Sequence, residues 1–221
     1  MKLETLQSEI SDIIQDSEYS DEYITDLINE AVSVVARGVE VPGELGFTAP
    51  LPDLYTESDL VLDSSTRYVS MPSGFQRGLV NVYSSSGIGK VPIMSSFRKF
   101  IAKFPVLKTG SSIEACVLHG SNLFYHPATD ETVAVSYYAA PTELVDFDDE
   151  PTCIPGHLHR RLIVSYACKE IFNRIEDGME GAKVNTEHYN ADFFEAVMAL
   201  DRFIGDDGIP QYIADEDDFI L

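Results

Sequence analysis

The sequence predicts an α+β fold: a four-helix bundle drawn from both chain ends, an inserted antiparallel β domain, and an extended C-terminal tail. Three observations predict it. Apolar residues recur at helical spacing in residues 1–40 and again in 151–205. Between them, residues 41–150 carry eight prolines and a series of short β-like runs. Residues 206–221 then hold six acids and no base, with apolar residues spaced among them. Helices at both ends share one core only if the middle of the chain is an insertion.

The first forty residues read as a helical hairpin. Leu3, Leu6, Ile10, Ile13 and Ile14 follow one helical face, and Gln15-Asp16-Ser17-Glu18 break it. Ser20 is a good N-cap, with Asp21 and Glu22 in the first turn, where acids suit the helix dipole. Ile24, Leu27, Ile28, Ala31, Val34 and Val35 form the next stripe. Gly38 can end that helix, and Pro42 opposes continuation.

In the middle region, Tyr68–Met71, Leu79–Tyr83, Ile113–Leu118, Leu123–Tyr125 and Thr132–Tyr138 read as strands. His119-Gly120-Ser121-Asn122 reads as a hairpin turn. The turn spacing fits a small sandwich or barrel. Ser95–Phe104 reads as a short helix with Phe97, Ile101 and Phe104 on one side.

A third helix is predicted from Pro155, with Leu158, Leu162, Tyr166, Ile171, Phe172 and Ile175 inward and Gly178 as its C-cap. Asn185 or Thr186 is expected to cap a fourth. Its stripe is Tyr189, Phe193, Ala196, Val197, Leu200, Phe203 and Ile204, and Gly205 closes it. The expected organisation is 1–40, a helical hairpin; 41–150, the β-rich insertion; 151–205, a second helical hairpin; and 206–221, an acidic docking tail.

Charge is sharply segregated. The 221-residue chain has 15 bases and 37 acids, a formal −22. Residues 64–113 contain no acid at all and seven bases: Arg67, Arg77, Lys90, Arg98, Lys99, Lys103 and Lys108. The remainder has 8 bases against 37 acids, or −29. Such a chain carries complementary surfaces in one molecule. The overall acidity argues against non-specific nucleic-acid binding over most of the surface. Three cysteines, Cys116, Cys153 and Cys168, form no CxxC and read as buried reduced thiols. The start, MKLETLQSEI, lacks the apolar run of a signal peptide, and no stretch reaches the about 20 apolar residues of a membrane span. A soluble, cytoplasmically made product with no membrane contact is expected.

No catalytic, metal or cofactor site is predicted. His157 and His159 lie two apart, where helical ligand pairs need three or four, and read as solvent-facing imidazoles. Ser86-Gly87-Ile88-Gly89-Lys90 has Ser84 and Val91 where a phosphate loop needs Gly and Ser or Thr, so it reads as a hairpin tip. Asp146, Asp148, Asp149 and Glu150 lack the pattern of an EF-hand and read as a solvated linker. No GxSxG elbow occurs. The basic block is the exception. Phe97, Phe100 and Phe104 interleave with Arg98, Lys99 and Lys103, which points to an interface through Phe97, Arg98, Lys99 and Lys103. The acid surplus elsewhere favours a protein partner. The tail residues Ile209, Tyr212, Ile213, Phe219, Ile220 and Leu221 point to a segment that docks on another subunit.

Both helical ends resemble tailed-bacteriophage head-to-tail adaptor (connector, head-completion) proteins. The similarity runs through Ile14-Gln15-Asp16, Ser20-Asp21-Glu22-Tyr23-Ile24 and Leu27-Ile28-Asn29-Glu30-Ala31. It resumes at Tyr137-Tyr138-Ala139-Ala140-Pro141, Ile154-Pro155, Tyr166-Ala167 and Ile175-Glu176-Asp177-Gly178. It ends with Lys183-Val184-Asn185-Thr186, Tyr189 and Phe193 or Phe194. It is weak between 45 and 130, and it consists of packing residues. The resemblance implies a non-enzymatic virion protein of the neck. It implies a ring of subunits, commonly twelve, beneath the portal protein, with duplex DNA passing through unbound. The partners it implies are neighbouring adaptor subunits, tail tube or nozzle proteins, and tail fibres beyond them. It also implies that the tail residues just named clamp the portal. The competing expectation is an acidic DNA mimic that inhibits a host nucleic-acid-binding protein. That reading uses the −22 charge but leaves the basic block idle.

Overall fold

A computed structural model describes residues 1–40, 48–85, 89–177 and 183–205. The fold is mixed α+β, with five helices and two three-stranded antiparallel sheets among these residues. The chain divides into two compact units. Among the described residues, Met1–Leu54 and the chain from Ala140 to Gly205 make a helical unit, and Tyr55–Ala139 make a β unit.

In the helical unit, α1 (Leu3–Ile14) buries Leu3, Leu6 and Ile10. Its first amide groups find partners in a distant loop. The Leu3 and Glu4 amides donate to Asp149 O (2.9 Å) and Phe147 O (3.2 Å). The loop holds its shape because the Asp149 carboxylate accepts from the amides of Val145 and Asp146, both at 2.8 Å. Those two bonds hold its pKa below the usual carboxylate range. The acidic run at 146–150 is therefore more than a solvated linker. It supplies partners for the orphan donors at the start of a helix.

The second helix, α2 (Asp21–Arg37), starts at the expected cap: Ser20 Oγ accepts from the Tyr23 amide at 3.3 Å. It buries Ile24, Leu27, Ile28, Ala31, Val32, Val35 and Ala36, and Gly38 ends it at φ 94. Gln7 Nε2 donates to Thr25 Oγ1 (2.7 Å), tying α1 to α2. The Asn29 side chain grips the returning chain twice. Its Oδ1 accepts from the Leu144 amide (2.8 Å) and its Nδ2 donates to Leu144 O (3.0 Å).

After Pro155 come a 3-10 turn (Gly156–Leu158), a π-helical turn (Arg160–Val164) and then a regular helix at Ser165–Ile175, which is α4 in chain order. Leu158, Leu162, Ile163, Val164, Tyr166, Ala167, Cys168 and Ile171 are all buried, as suits a helix covered on most of its sides. His159 corrects the expectation of a solvent-facing ring. It is 3 % exposed, with Nε2 donating to Ile154 O (2.7 Å) and Nδ1 2.6 Å from the Met1 amine. Burial lowers its pKa first of all, which keeps the ring neutral. His157 is exposed and meets Phe203 edge-on.

The last helix, α5 (Val184–Ile204), buries Phe193, Ala196, Val197 and Leu200. Phe203, expected on that stripe, is 64 % exposed. Neither Asn185 nor Thr186 is the cap. Both lie inside the helix, and Glu176, just past α4, caps them. Its Oε1 accepts from Asn185 N (3.1 Å) and Nδ2 (2.9 Å), and its Oε2 from Thr186 N (3.1 Å) and Oγ1 (2.7 Å). Helices α1, α2, α4 and α5 share one apolar core, joined by Leu51 and Leu144. The expected stop signals Pro42 and Gly178 lie outside the described residues.

The β unit is built from six strands: β1 (Tyr55–Val61), β2 (Tyr68–Ser70), β3 (Phe75–Ser84), β4 (Ala115–His119), β5 (Asn122–His126) and β6 (Thr132–Ala139). The sheets run β1-β6-β3 and β2-β5-β4 and close on one core of Leu60, Leu79, Val82, Val133, Val135, Met71, Cys116, Leu123 and Tyr125, among others. The β4–β5 hairpin turns on Gly120 (φ 61) and Ser121, as its turn chemistry requires. The unforeseen strand is β1. Its sequence, Tyr-Thr-Glu-Ser-Asp-Leu-Val, buries only Leu60 and lies at a sheet edge, where polar residues suffice. Of the hairpin tip, Ser86–Ile88 lie outside the described residues. Its flanks are joined by Ser84 N to Gly89 O and Val91 N to Val82 O, both 2.8 Å.

Two buried polar groups fasten the β unit. Tyr125, 1 % exposed, donates to Asp63 O (2.9 Å) and accepts from the Asp63 amide (3.0 Å). Glu131, 8 % exposed, accepts from Ser84 Oγ (2.7 Å) and the Ile113 amide (2.6 Å), and its own carbonyl accepts from the Leu62 amide (2.8 Å). One residue thereby holds the end of β3, the start of the β4 segment and the end of β1. Glu131→Ala leaves the Ile113 amide buried without a partner. It should destabilise the chain by about 2 kcal/mol in urea unfolding, with Glu131→Gln losing less. Glu176 makes a second prediction. Hydrogen bonds from Thr186 and Asn185 lower its pKa. Its contribution is therefore full above the normal Glu pKa of about 4.5 and is lost as pH falls below it. Glu176→Ala should lower the thermal midpoint at pH 7 and remove that part of the acid dependence.

Candidate functional site

The seven bases of the acid-free block divide by role once the chain folds. Arg67 is structural. Its Nη2 donates to Phe104 O (2.5 Å) and its guanidinium lies 6.0 Å from the Phe100 ring centre. Arg77 is half-buried on β3, beside Tyr138 of β6. Lys90, Arg98, Lys99, Lys103 and Lys108 are exposed.

Three of the expected interface bases sit on α3 (Phe97–Lys103). The helix forms where it does because its aromatic side packs on the β2-β5-β4 sheet. Phe97 stacks on His119 (4.1 Å between ring centres, planes at 5°) and meets Phe124 edge-on at 4.7 Å. Phe100 is fully buried. Phe104 stacks on His126 (4.1 Å, 19°). The inward set is thus Phe97, Phe100 and Phe104. Ile101, expected inward, is 36 % exposed. Phe97, expected as an interface residue, is half-buried against its own sheet.

The segment's remaining residues face outward. Arg98, Lys99, Ile101, Lys103, Val106, Leu107 and Lys108 are all exposed, Val106 to 64 %. Among the described residues no ion pair engages Arg98, Lys99 or Lys108. The face therefore mixes exposed cationic groups with aliphatic ones. Such a surface suits an acidic, apolar-studded protein segment. His119 and His126 were missed as supports of this face. The period-two alternation of β5 contains the signal, because it puts Phe124 and His126 on one side of the strand.

By residue count the β unit, 55–139, has seven bases and six acids, a net +1. The rest of the chain has 8 bases and 31 acids, a net −23. The acidic character of the helical unit shows in a pocket of about 390 Å3, lined by Asp26, Glu30 and Glu143 with Asn29, Val32, Ser33 and residues 140–142. Among the described residues no group of three or more His, Cys, Asp or Glu converges as metal ligands, and no helix is long and apolar enough to cross a membrane. The tail residues Ile209, Tyr212, Ile213, Phe219, Ile220 and Leu221 lie outside the described residues.

The model of a family described as SU10 adaptor protein matches residues 1–217. No curated protein matches the chain.

The α3 support has a titratable part. Burial lowers the His126 pKa, Arg67 and Lys108 lower it further, and Glu114 opposes them. A His with a lowered folded pKa gives stability that is complete above the unfolded value of about 6.5 and falls away below it. Acidification from pH 7 to pH 5 should lower the amide protection factors across Phe97–Phe104, taken relative to the intrinsic exchange rate at each pH. His126→Phe keeps a ring under Phe104 and should flatten that pH dependence.

Proposed function

The chain belongs to the SU10 adaptor protein family, and from that premise we propose that it is a structural virion protein that forms a ring between the portal and the tail of a phage particle. The observation that carries this reading is the partition of charge along the chain, net +1 over residues 55–139 against −23 over the rest. A ring repeats a heterologous contact, in which one side of a subunit meets a different side of the next. Opposite charge on those sides steers assembly and fixes register. The exposed α3 bases Arg98, Lys99 and Lys103 offer the basic side, and the helical unit offers acidic counterparts such as the surface around Asp26, Glu30 and Glu143.

In this reading the four helices of the core form the wall of the ring as a bundle. An acidic lumen repels passing duplex DNA, so the genome slides through without specific binding. Ile209, Tyr212, Ile213, Phe219, Ile220 and Leu221 form the portal-docking set, in a twelve-subunit ring whose far side receives tail tube or nozzle proteins and, beyond them, tail fibres. Residue roles are those of packing and docking, and no step of chemistry is assigned. The DNA-mimic alternative is disfavoured by the exposed cations of α3, which a mimic of a polyanion has no use for.

The test is assembly on the cognate portal ring, followed by sedimentation and electron microscopy. Reversal of Arg98→Glu, Lys99→Glu and Lys103→Glu together should reduce the number of subunits retained per portal at least tenfold at physiological salt. Full occupancy by the triple variant would remove this face from the ring contact, and a wild-type chain indifferent to portals would overturn the adaptor reading.

A further inference from the structure

The outward face of α3 and the segment after it has a candidate occupant within the same chain. Its four exposed cations, Arg98, Lys99, Lys103 and Lys108, are interspersed with exposed Ile101, Val106 and Leu107. Residues 206–221 carry the complementary composition: Asp206, Asp207, Asp215, Glu216, Asp217 and Asp218, no base, and apolar Ile209, Tyr212, Ile213, Phe219, Ile220 and Leu221. Many surfaces of this chain are acidic. Residues 206–221 combine six acids with six large apolar residues and no base, and they follow directly on α5 of the same chain.

We infer that, in the protein free of its partners, residues 206–221 dock on the Arg98–Lys108 face of their own chain. Three physical arguments support this contact. Charge of opposite sign on the two surfaces gives attraction and orientation. The aliphatic side chains on the face gain from apolar cover in a way that lysines alone do not. The tether makes the encounter intramolecular, with an effective concentration on the order of millimolar for a short linker, well above that of any free competitor. Sixteen residues extend to at most about 55 Å, several times the about 12 Å radius of gyration expected for an 85-residue unit.

This docking deepens the adaptor reading and rests on it for its consequence. The portal-docking residues and the ring-forming bases cover one another in the free chain. Capture of residues 206–221 by the portal uncovers the basic face for the next subunit. Subunits then join in order on the portal and stay apart in solution, because neither surface is available until the first contact is made.

The experiment is paramagnetic relaxation in the free full-length chain. Cys116, Cys153 and Cys168 are all buried, and burial pushes their thiols up, Cys153 to about 11 and Cys168 to about 12. A nitroxide introduced through Ala214→Cys therefore labels a single site. The expected result is at least twofold broadening of the amide signals of residues 97–108. It should be lost with Arg98→Glu, Lys99→Glu and Lys103→Glu. It should return when Asp215, Glu216, Asp217 and Asp218 are also changed to Lys, with signals of the helical unit unmoved throughout. Absence of broadening in the wild-type background overturns the inference. So does broadening that survives the charge reversal, or broadening that appears between differently labelled molecules in a mixed sample. No portal is present, so failure here leaves the adaptor reading standing, and failure to bind a portal leaves this result intact.

Discussion

An inserted unit can be accommodated only if the host core closes around the points where the chain leaves and returns. In this protein the closure is local and polar at its centre. Leu51 on the way out and Leu144 on the way back are both buried in the helical core. The Asn29 amide holds Leu144 by its amide and its carbonyl together. On the exit side the Ala49 amide donates to Asp201 of α5 at 3.0 Å. A buried backbone amide or carbonyl without a partner costs about 1–3 kcal/mol, so a side chain that satisfies both at once fixes the return path. The loop that caps α1 and the apolar helix α4 come next along the chain after that fixed return.

Because the crossing points are secured within the helical unit, the β unit has its own core and its own charge. Its six strands close on an apolar centre fastened by Tyr125 and Glu131. Nothing in that core demands a surface of a particular sign. The near neutrality of this unit, inside a chain of −22, is then a property of its surface and available to recognition. The aromatic residues interleaved with the bases divide the work. Phe97, Phe100 and Phe104 attach α3 to the sheet, and the cations with Ile101, Val106 and Leu107 face outward. A rigid platform under an exposed charged face limits the ordering cost of binding.

The helical ends were legible because burial on one side leaves a period of three and four, as in Leu3, Leu6 and Ile10 or Ile24, Leu27, Ile28 and Ala31. The central hairpin was legible because Gly120 supplies the positive φ its turn needs. Strand β1 was not, since an edge strand with one buried residue carries no apolar alternation. The inward side of α3 was misjudged by one position, Ile101 for Phe100. A seven-residue helix has too few turns to fix its phase by periodicity. The cap of α5 was sought in the residues beside it, whereas Glu176 of the preceding helix end fills that place.

The sequence by itself determined the segregation of charge, the α+β composition and the helical faces at both ends, because these depend on residue type and local spacing alone. The family likeness was also carried by those packing residues. Only the tertiary structure decided which members of the basic block are structural and which are exposed. It turned His159 inward, and made Glu131 and Asn29 fasteners. Each of these depends on a partner many residues away: Phe104 for Arg67, Ile154 and the chain's first residue for His159, Ser84 and Ile113 for Glu131, and Leu144 for Asn29. The worth of a polar side chain in a folded protein is set by what it meets there, and no local pattern contains that information.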